Sequence, residues 1–167
     1  MYATGDGGGW RDSLSWSTKV NFFEEIVMER YKFIPLLGRI MLGAPFAMSG
    51  LGKLAAYAAT VGYIKAMGLP VPPLAYAVSI MIELGGGLLL ISGYRVRPVA
   101  VVMALFCLVT AAFFHNNFAD QNQMIHFLKN VMMAGGLLQI AYFGAGAYSL
   151  DQRLGRFGAR LASAGAN

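Results

Sequence analysis

Apolar residues run through this chain in four long blocks separated by short polar clusters. The first block, 34–51, holds one charge, Arg39, and ends at Gly50, Gly52 and Lys53. The second, 74–93, is interrupted by Glu83 and followed by the link Tyr94, Arg95, Val96, Arg97. The third, 99–114, is preceded by Pro98, which suits the first position of a helix. A polar turn over 115–123 leads into the fourth block, 124 to about 146, which carries His126, Lys129 and Asn130 in its first two turns. A membrane-spanning helix needs roughly 20 residues, with a working range of about 17–25. The pattern predicts four spanning helices.

The segments between and before the blocks differ in kind. Residues 54–73 contain Tyr57, Tyr63, Ile64 and Met67 and end in a Pro-rich turn that cannot continue a helix. A short interfacial helix before that turn is expected. Residues 1–9 are Gly-rich and predict disorder. Over 10–33, Trp16, Val20, Phe23, Val27 and Tyr31 recur at helical spacing, with Lys19, Glu24 and Arg30 elsewhere on the turn. This predicts an amphipathic helix lying on the membrane surface or packed on a partner protein. The first 33 residues lack the basic start and apolar core of a secretory signal. The expected organisation is an N-terminal tail and surface helix over 1–33, a four-helix membrane domain over 34–150, and a basic tail over 151–167. The fold class is an all-α integral membrane bundle.

Composition agrees. Hydrophobic residues make up 57% of the 167 residues and charged residues 13%, against about a quarter charged in soluble domains. Mean hydropathy is +0.55. The net charge of +5 sits at the edges of the apolar blocks, which fits lipid headgroups and gives no reason to invoke nucleic acid. The single cysteine, Cys107, lies inside an apolar block and is expected to be an inert core or lipid-facing thiol. Four crossings place Arg30, Lys32, Arg95, Arg97, Arg153, Arg156 and Arg160 on one side of the membrane and Lys53 and Lys65 on the other. By the positive-inside rule both termini are cytoplasmic.

The candidate chemistry lies in polar residues within the spans. A charge near the bilayer centre costs about 2.5–3.5 kcal/mol and usually faces the bundle interior, where it finds a partner. At about 1.5 Å per residue, Arg39 lies roughly 8 Å from the inner end of its helix, Glu83 about 13 Å from the outer end, and Lys129 about 8 Å below the outer surface. Glu83 is therefore within range of Arg39 from below and Lys129 from above, giving an expected charged spine. Arg39, Gly43, Phe46, Gly50 and Lys53 share one stripe, and Ser79, Glu83 and Gly86 or Gly87 share another. His115, His126, Lys129 and Asn130 gather at the outer end. Two readings follow: a buried ion pair that fixes helix register, and a polar pocket open to the outer side. Glu83 and His115 are the candidate proton-moving residues. Arg39, Lys53, Glu83, His115, His126, Lys129 and Asn130 are the candidate cofactor-binding residues. No metal site is assigned, because apart from Asp120 the histidines lack a carboxylate or thiol at ligand spacing, and no haem is expected. GxSxG, P-loop, CxxC and GxGxxG signatures are missing from the sequence.

Leu37 to Gly43, Ser49 to Lys53, Glu83 to Gly87, Phe114 and His115, Phe127 to Asn130, Gly135 to Leu138, and Gly144 to Gly146 with Ser149 to Asp151 form a run of motifs. In order and spacing, over about 35–155, the run resembles DoxX-like proteins. The resemblance implies a four-helix protein of the bacterial cytoplasmic membrane. It also implies association with redox complexes, some relatives being linked to thiosulfate- and quinone-dependent oxidation. Three functions are carried forward: a quinone-linked subunit of a membrane oxidoreductase, a non-catalytic adaptor in a larger membrane assembly, and a solute carrier acting as a dimer. The expected partners are lipid and a membrane protein contacting residues 10–33 or the bundle surface, with a homo-oligomer also open.

Overall fold

Long apolar helices separated by tight turns account for nearly all of the described chain. The computed structural model describes residues 18, 21 and 29–164. The expected surface helix over 10–33 falls almost wholly outside them. The elements in chain order are α1 (Ile34–Ala55), α2 (Tyr57–Ala66), α3 (72–92), α4 (Val96–Phe114), α5 (Gln121–Phe143) and α6 (Leu150–Ala164). Among the described residues, four helices are long and apolar enough to cross a membrane: Glu29–Ala55, Pro72–Ser92, Val96–Phe114 and Gln121–Phe143. The shortest has 19 residues, about 28 Å at 1.5 Å per residue, close to the hydrocarbon thickness of a bilayer. α2 is the expected short helix before the Pro-rich turn. α1 stays helical through Pro45.

Burial is arranged for a lipid solvent. The core contains many small residues: Ala47, Ala100, Ala104, Cys107, Ala111 and Ala134 are all buried. The large side chains Met41, Met48, Met81, Leu105 and Met132 point outward. Water would penalise that surface, whereas acyl chains match it. Cys107 is buried in the core rather than at the lipid face. Aromatic residues collect near both ends, Tyr142, Phe143 and Tyr148 at one and Tyr57, Tyr63 and Phe118 at the other, as amphipathic rings do at headgroup level.

Helices in lipid associate mainly through close packing, which favours small residues at the seam. α1 and α3 meet in this way. A Cβ built on Gly43 would lie 2.8 Å from the Gly87 carbonyl oxygen, and one on Gly87 would lie 2.7 Å from the Gly43 carbonyl oxygen. About two turns further along α1, a Cβ on Gly50 would lie 2.8 Å from the Leu84 backbone nitrogen. These approaches fix the axial register of the two helices. Of the expected α1 stripe, Arg39, Gly43, Phe46 and Gly50 are buried, along with Ala47, and Lys53 is half-buried. α4 and α5 form the other main pair, and Gly136 of α5 turns towards Leu42 of α1.

The middle of α3 departs from α-helical geometry. Met81–Gly86 is a π-helix, and the Gly87 backbone N–H reaches back to the Glu83 and Leu84 carbonyls. Such a widened turn is favoured locally by the triplet Gly85, Gly86, Gly87, which removes side-chain crowding from the turn. The first half of Pro72–Ser92 and the second are thereby rotated relative to a straight helix, and π-bulges recur at functional sites.

Two helix starts differ from expectation. α4 begins at Val96, so Pro98 is its third residue rather than its first. Proline is tolerated there because the first four N–H groups of a helix lack intrahelical acceptors. The N–H groups of Arg95 and Val96 instead donate to the Asp151 carboxylate, at 2.7 and 3.0 Å. The basic tail is also ordered as helix α6. Ser149 starts it, its hydroxyl accepting from the Gln152 N–H at 3.2 Å, which is the first half of a Ser-x-x-Gln capping box.

Candidate functional site

The structure divides the expected polar residues into three separate groups. Among the described residues, no hydrogen bond, ion pair or ring contact links one group to another.

The first group is centred on Glu83. Its Oε2 lies 2.5 Å from the Lys53 Nζ. Lys53 also donates to the Ser49 hydroxyl at 3.0 Å, one helical turn back along α1. The Lys53 backbone carbonyl accepts from the Tyr76 hydroxyl at 3.3 Å. Tyr76 meets Tyr57 of α2 edge to face, with ring centroids 4.9 Å apart. The Glu83 side chain is 9% exposed and that of Lys53 28% exposed. The carboxylate is thus enclosed while the ammonium opens to the surroundings. Two opposite charges at this distance in a low-dielectric interior attract strongly, which offsets the cost of removing both from water. The π-helical turn carries the carboxylate and the last turn of α1 carries the ammonium.

The expected spine of Arg39, Glu83 and Lys129 is therefore corrected: the partner of Glu83 is Lys53. The register explains this. Gly43 stands opposite Gly87 and Gly50 opposite Leu84. Arg39 is then level with Ile91, eight residues or about 12 Å along α3 from Glu83. Lys53 is one turn past Gly50, on the Glu83 side.

Arg39 forms the second group. Its residue is 1% exposed. One terminal nitrogen, Nη1, donates to the carbonyls of Leu90 and Ile91 at 3.2 and 2.9 Å, and Nη2 donates to the carbonyl of Tyr148. Leu90 and Ile91 belong to the last turn of α3, whose carbonyls carry the negative end of the helix dipole; that of Leu90 also accepts from the Gly93 N–H at 3.2 Å. The guanidinium thus closes the end of α3 and ties it to the turn before α6. Gly93 makes room for it: φ is +70°, and a Cβ there would lie 2.2 Å from Arg39 Nη1. By its contacts Arg39 clamps the end of α3 to the turn before α6.

The third group lies at the opposite end, where α4 meets α5. His115 and His126 stack with centroids 5.0 Å apart, and His115 Nδ1 is 3.0 Å from the Gln123 side-chain oxygen. The Thr110 hydroxyl contacts the Asn130 side-chain oxygen at 3.2 Å, and the Asn130 amide donates to the His126 carbonyl at 3.0 Å. His115, His126 and Asn130 are brought together as expected. Lys129 is not: it is exposed on α5 and forms no ion pair or hydrogen bond among the described residues.

Sequence reading named Ser149 and Asp151 only as part of a motif and missed their roles, Asp151 in holding the start of α4 and Ser149 in starting α6. The capping-box pattern at Ser149 was the available signal. Nothing local marks Asp151, whose partners lie 55 and 56 residues away. Lys53 was named as a candidate, but as one member of a stripe rather than as the partner of Glu83.

Comparison with known proteins agrees with this architecture. The DoxX family model matches residues 34–116, which cover α1 to α4 and so include Arg39, Lys53, Glu83 and His115. Inner membrane protein YqjF of Escherichia coli K12 is 40% identical over 121 residues, covering 72% of this chain and 92% of that protein. Inner membrane protein YphA of the same organism is 35% identical over 123 residues, covering 71% and 88%. No solved structure matches the chain. On its sequence relationship, its four spans and its lipid-adapted surface, the chain is an integral membrane protein and belongs to the DoxX family.

Proposed function

We propose that the protein is a quinone-linked, redox-associated subunit of a membrane oxidoreductase complex. The observation that carries this reading is the Lys53–Glu83 pair, enclosed within the bundle on a π-helical turn with its lysine opening outward. A quinone needs hydrogen-bond donors at its oxygens beside an apolar wall. Lys53 supplies such a donor, having three N–H bonds of which two face Glu83 and Ser49. Exposed apolar residues on the same helices, Met48, Leu51 and Met81, supply the wall. A bound quinone would accept and release electrons together with protons. Glu83 is placed to hold or release a proton beside the Lys53 ammonium.

The test is extraction of quinone from protein purified in mild detergent, with quinone-linked activity measured in Glu83→Gln and His115→Ala variants. Co-purified quinone and loss of activity in Glu83→Gln support the reading. No quinone, with activity unchanged in both variants, removes it.

A second reading is a non-catalytic adaptor in a membrane assembly, and Lys129 favours it. An exposed lysine within a span gains most from a carboxylate on a neighbouring chain, and α5 is the least buried of the four spans. Native mass analysis of the purified complex distinguishes the two. A bound protein that is lost in Lys129→Leu, with no quinone, favours the adaptor.

The same proposal places the chain in the bacterial cytoplasmic membrane, where the two E. coli relatives are named as residing, with both termini inside. Folding of Lys53 into the bundle strengthens the charge bias, since Lys65 is then the basic residue left in the 56–71 connection. Reporter fusions after residue 68 and after residue 164 check it: an export-dependent reporter is active at 68 and silent at 164, and the reverse pattern overturns the orientation.

A further inference from the structure

The end of the molecule that carries the chain termini holds a feature that the Glu83 group does not use. A groove of about 1100 Å³ lies between the start of α1, the 94–98 link, the turn after α5, and α6. Four cations line it, Lys32, Arg95, Arg97 and Arg156, with two carboxylates, Glu29 and Asp151. Both carboxylates are engaged. Glu29 pairs with Lys32 at 2.7 Å, and Asp151 accepts from the backbone N–H groups of Arg95 and Val96. The three arginines give the groove its net positive charge.

The arginines are held there by the backbone. Arg95 has φ +45°, the left-handed region that non-glycine residues adopt at some cost. The Asp151 carboxylate on its N–H holds that conformation, and the Gly93 carbonyl in turn accepts from the Asp151 N–H at 2.9 Å. Arg97 lies over Gly144, where a Cβ would come within 3.4 Å of its Nε. Gly146 approaches Pro35 so closely that a Cβ would lie 2.5 Å from the proline Cβ, closing the turn against α1.

α6 adds the second observation. Leu150, Leu154, Phe157 and Leu161 recur at spacings of four, three and four, and all four are exposed, from 41% to 62%. They form one apolar stripe, with Arg153 and Arg156 to one side of it. A basic amphipathic helix that begins at the end of a span meets its natural partner in the adjacent interface, where the apolar face enters the acyl boundary and the arginines reach the headgroups.

We infer that this groove is a binding site for the phosphate headgroup of an anionic phospholipid, with α6 lying in the same leaflet and its Leu154–Phe157 face in the acyl region. Arg95, Arg97 and Arg156 contact the phosphate, and arginine suits that task because its planar fork matches phosphate oxygens. The occupant is the lipid rather than a free anion, because the groove opens beside the outward-facing aromatic side chains of Tyr148 and Phe143 at the end of the spans.

The test uses full-length protein in detergent, titrated with phosphatidylglycerol or phosphatidylcholine and read by native mass spectrometry. Wild-type protein is expected to retain phosphatidylglycerol preferentially. Arg156→Gln is expected to weaken that retention about fivefold, and the Arg95→Gln, Arg97→Gln, Arg156→Gln triple variant about a hundredfold, at the usual contribution of a basic residue near anionic lipid. Leu154→Asn with Phe157→Asn is expected to lower retention with the arginines intact. Arg156 is exposed, so its single variant carries the test if the triple variant does not fold. Equal retention of the two lipids, or arginine variants that match wild type, overturns the inference. Displacement of phosphatidylglycerol by millimolar inorganic phosphate alone also overturns it, in favour of a free-anion site. Unchanged retention in the Leu154 and Phe157 variant overturns the placement of the α6 apolar face in the acyl region.

Discussion

The Lys53 ammonium stands 2.5 Å from the Glu83 carboxylate, joining the last turn of α1 to the π-helical turn of α3. Removing one partner leaves a charge enclosed without compensation, whereas replacing both by apolar groups can be nearly neutral. Lys53→Met, which leaves the enclosed Glu83 carboxylate unpaired, is expected to destabilise the bundle by about 3 kcal/mol. Lys53→Met with Glu83→Leu is expected to recover most of that loss. Unfolding in mixed micelles measures both. A double variant no more stable than the single would show that the pair is not the coupled unit. If the double variant is stable yet inactive in the quinone-linked assay, the pair serves function rather than register.

Arg39 closes the end of α3 by donating to three carbonyls from two directions. Lysine has the charge but not the fork. Arg39→Lys is therefore expected to cost about 2 kcal/mol, much of the cost of Arg39→Met, since carbonyls buried without donors carry about 1–3 kcal/mol each. Full stability of Arg39→Lys would mean that charge alone is sufficient there.

Gly43 and Gly87 set the closeness of α1 and α3. Gly87→Ala is expected to destabilise by about 1–3 kcal/mol, the usual range for overpacking, because the new methyl meets backbone on two sides, the Gly43 oxygen and the Ala47 nitrogen. Gly135→Ala serves as the control, since a Cβ there meets nothing within 4 Å. Equal effects at the two positions would contradict the seam.

Asp151 acts as a distant cap for α4. Asp151→Ala is expected to cost about 1 kcal/mol, typical of a lost N-cap, and to increase protease sensitivity at the 93–96 link. Asp151→Asn keeps an acceptor oxygen and is expected to recover part of the loss. Indistinguishable melting of Asp151→Ala and wild type would show that the two N–H bonds contribute nothing net.

The legibility of the fold and of the site differed for a physical reason. Hydrophobic block length and helical period are local properties, so the four spans, the short helix at 57–66 and the inward stripe of α1 could all be read from the residues themselves. The same holds for the grouping of His115, His126 and Asn130, which lie on either side of one short turn. The π-helical turn had only the glycine triplet as a local trace. The start of α4 was misplaced because its cap comes from Asp151, on another element.

The sequence by itself determined that this chain lies in a membrane, how its helices divide it, and which polar residues those helices must bury. Tertiary structure decided which of them meet. A helix fixes the face and depth of its own residues, but not its rotation or axial offset against a neighbour. Here the contacts of Gly43 with Gly87 and of Gly50 with Leu84, together with the π-helical turn, set that offset. They bring Glu83 to Lys53, turn Arg39 into a clamp on the end of α3, and leave Lys129 on the surface of α5.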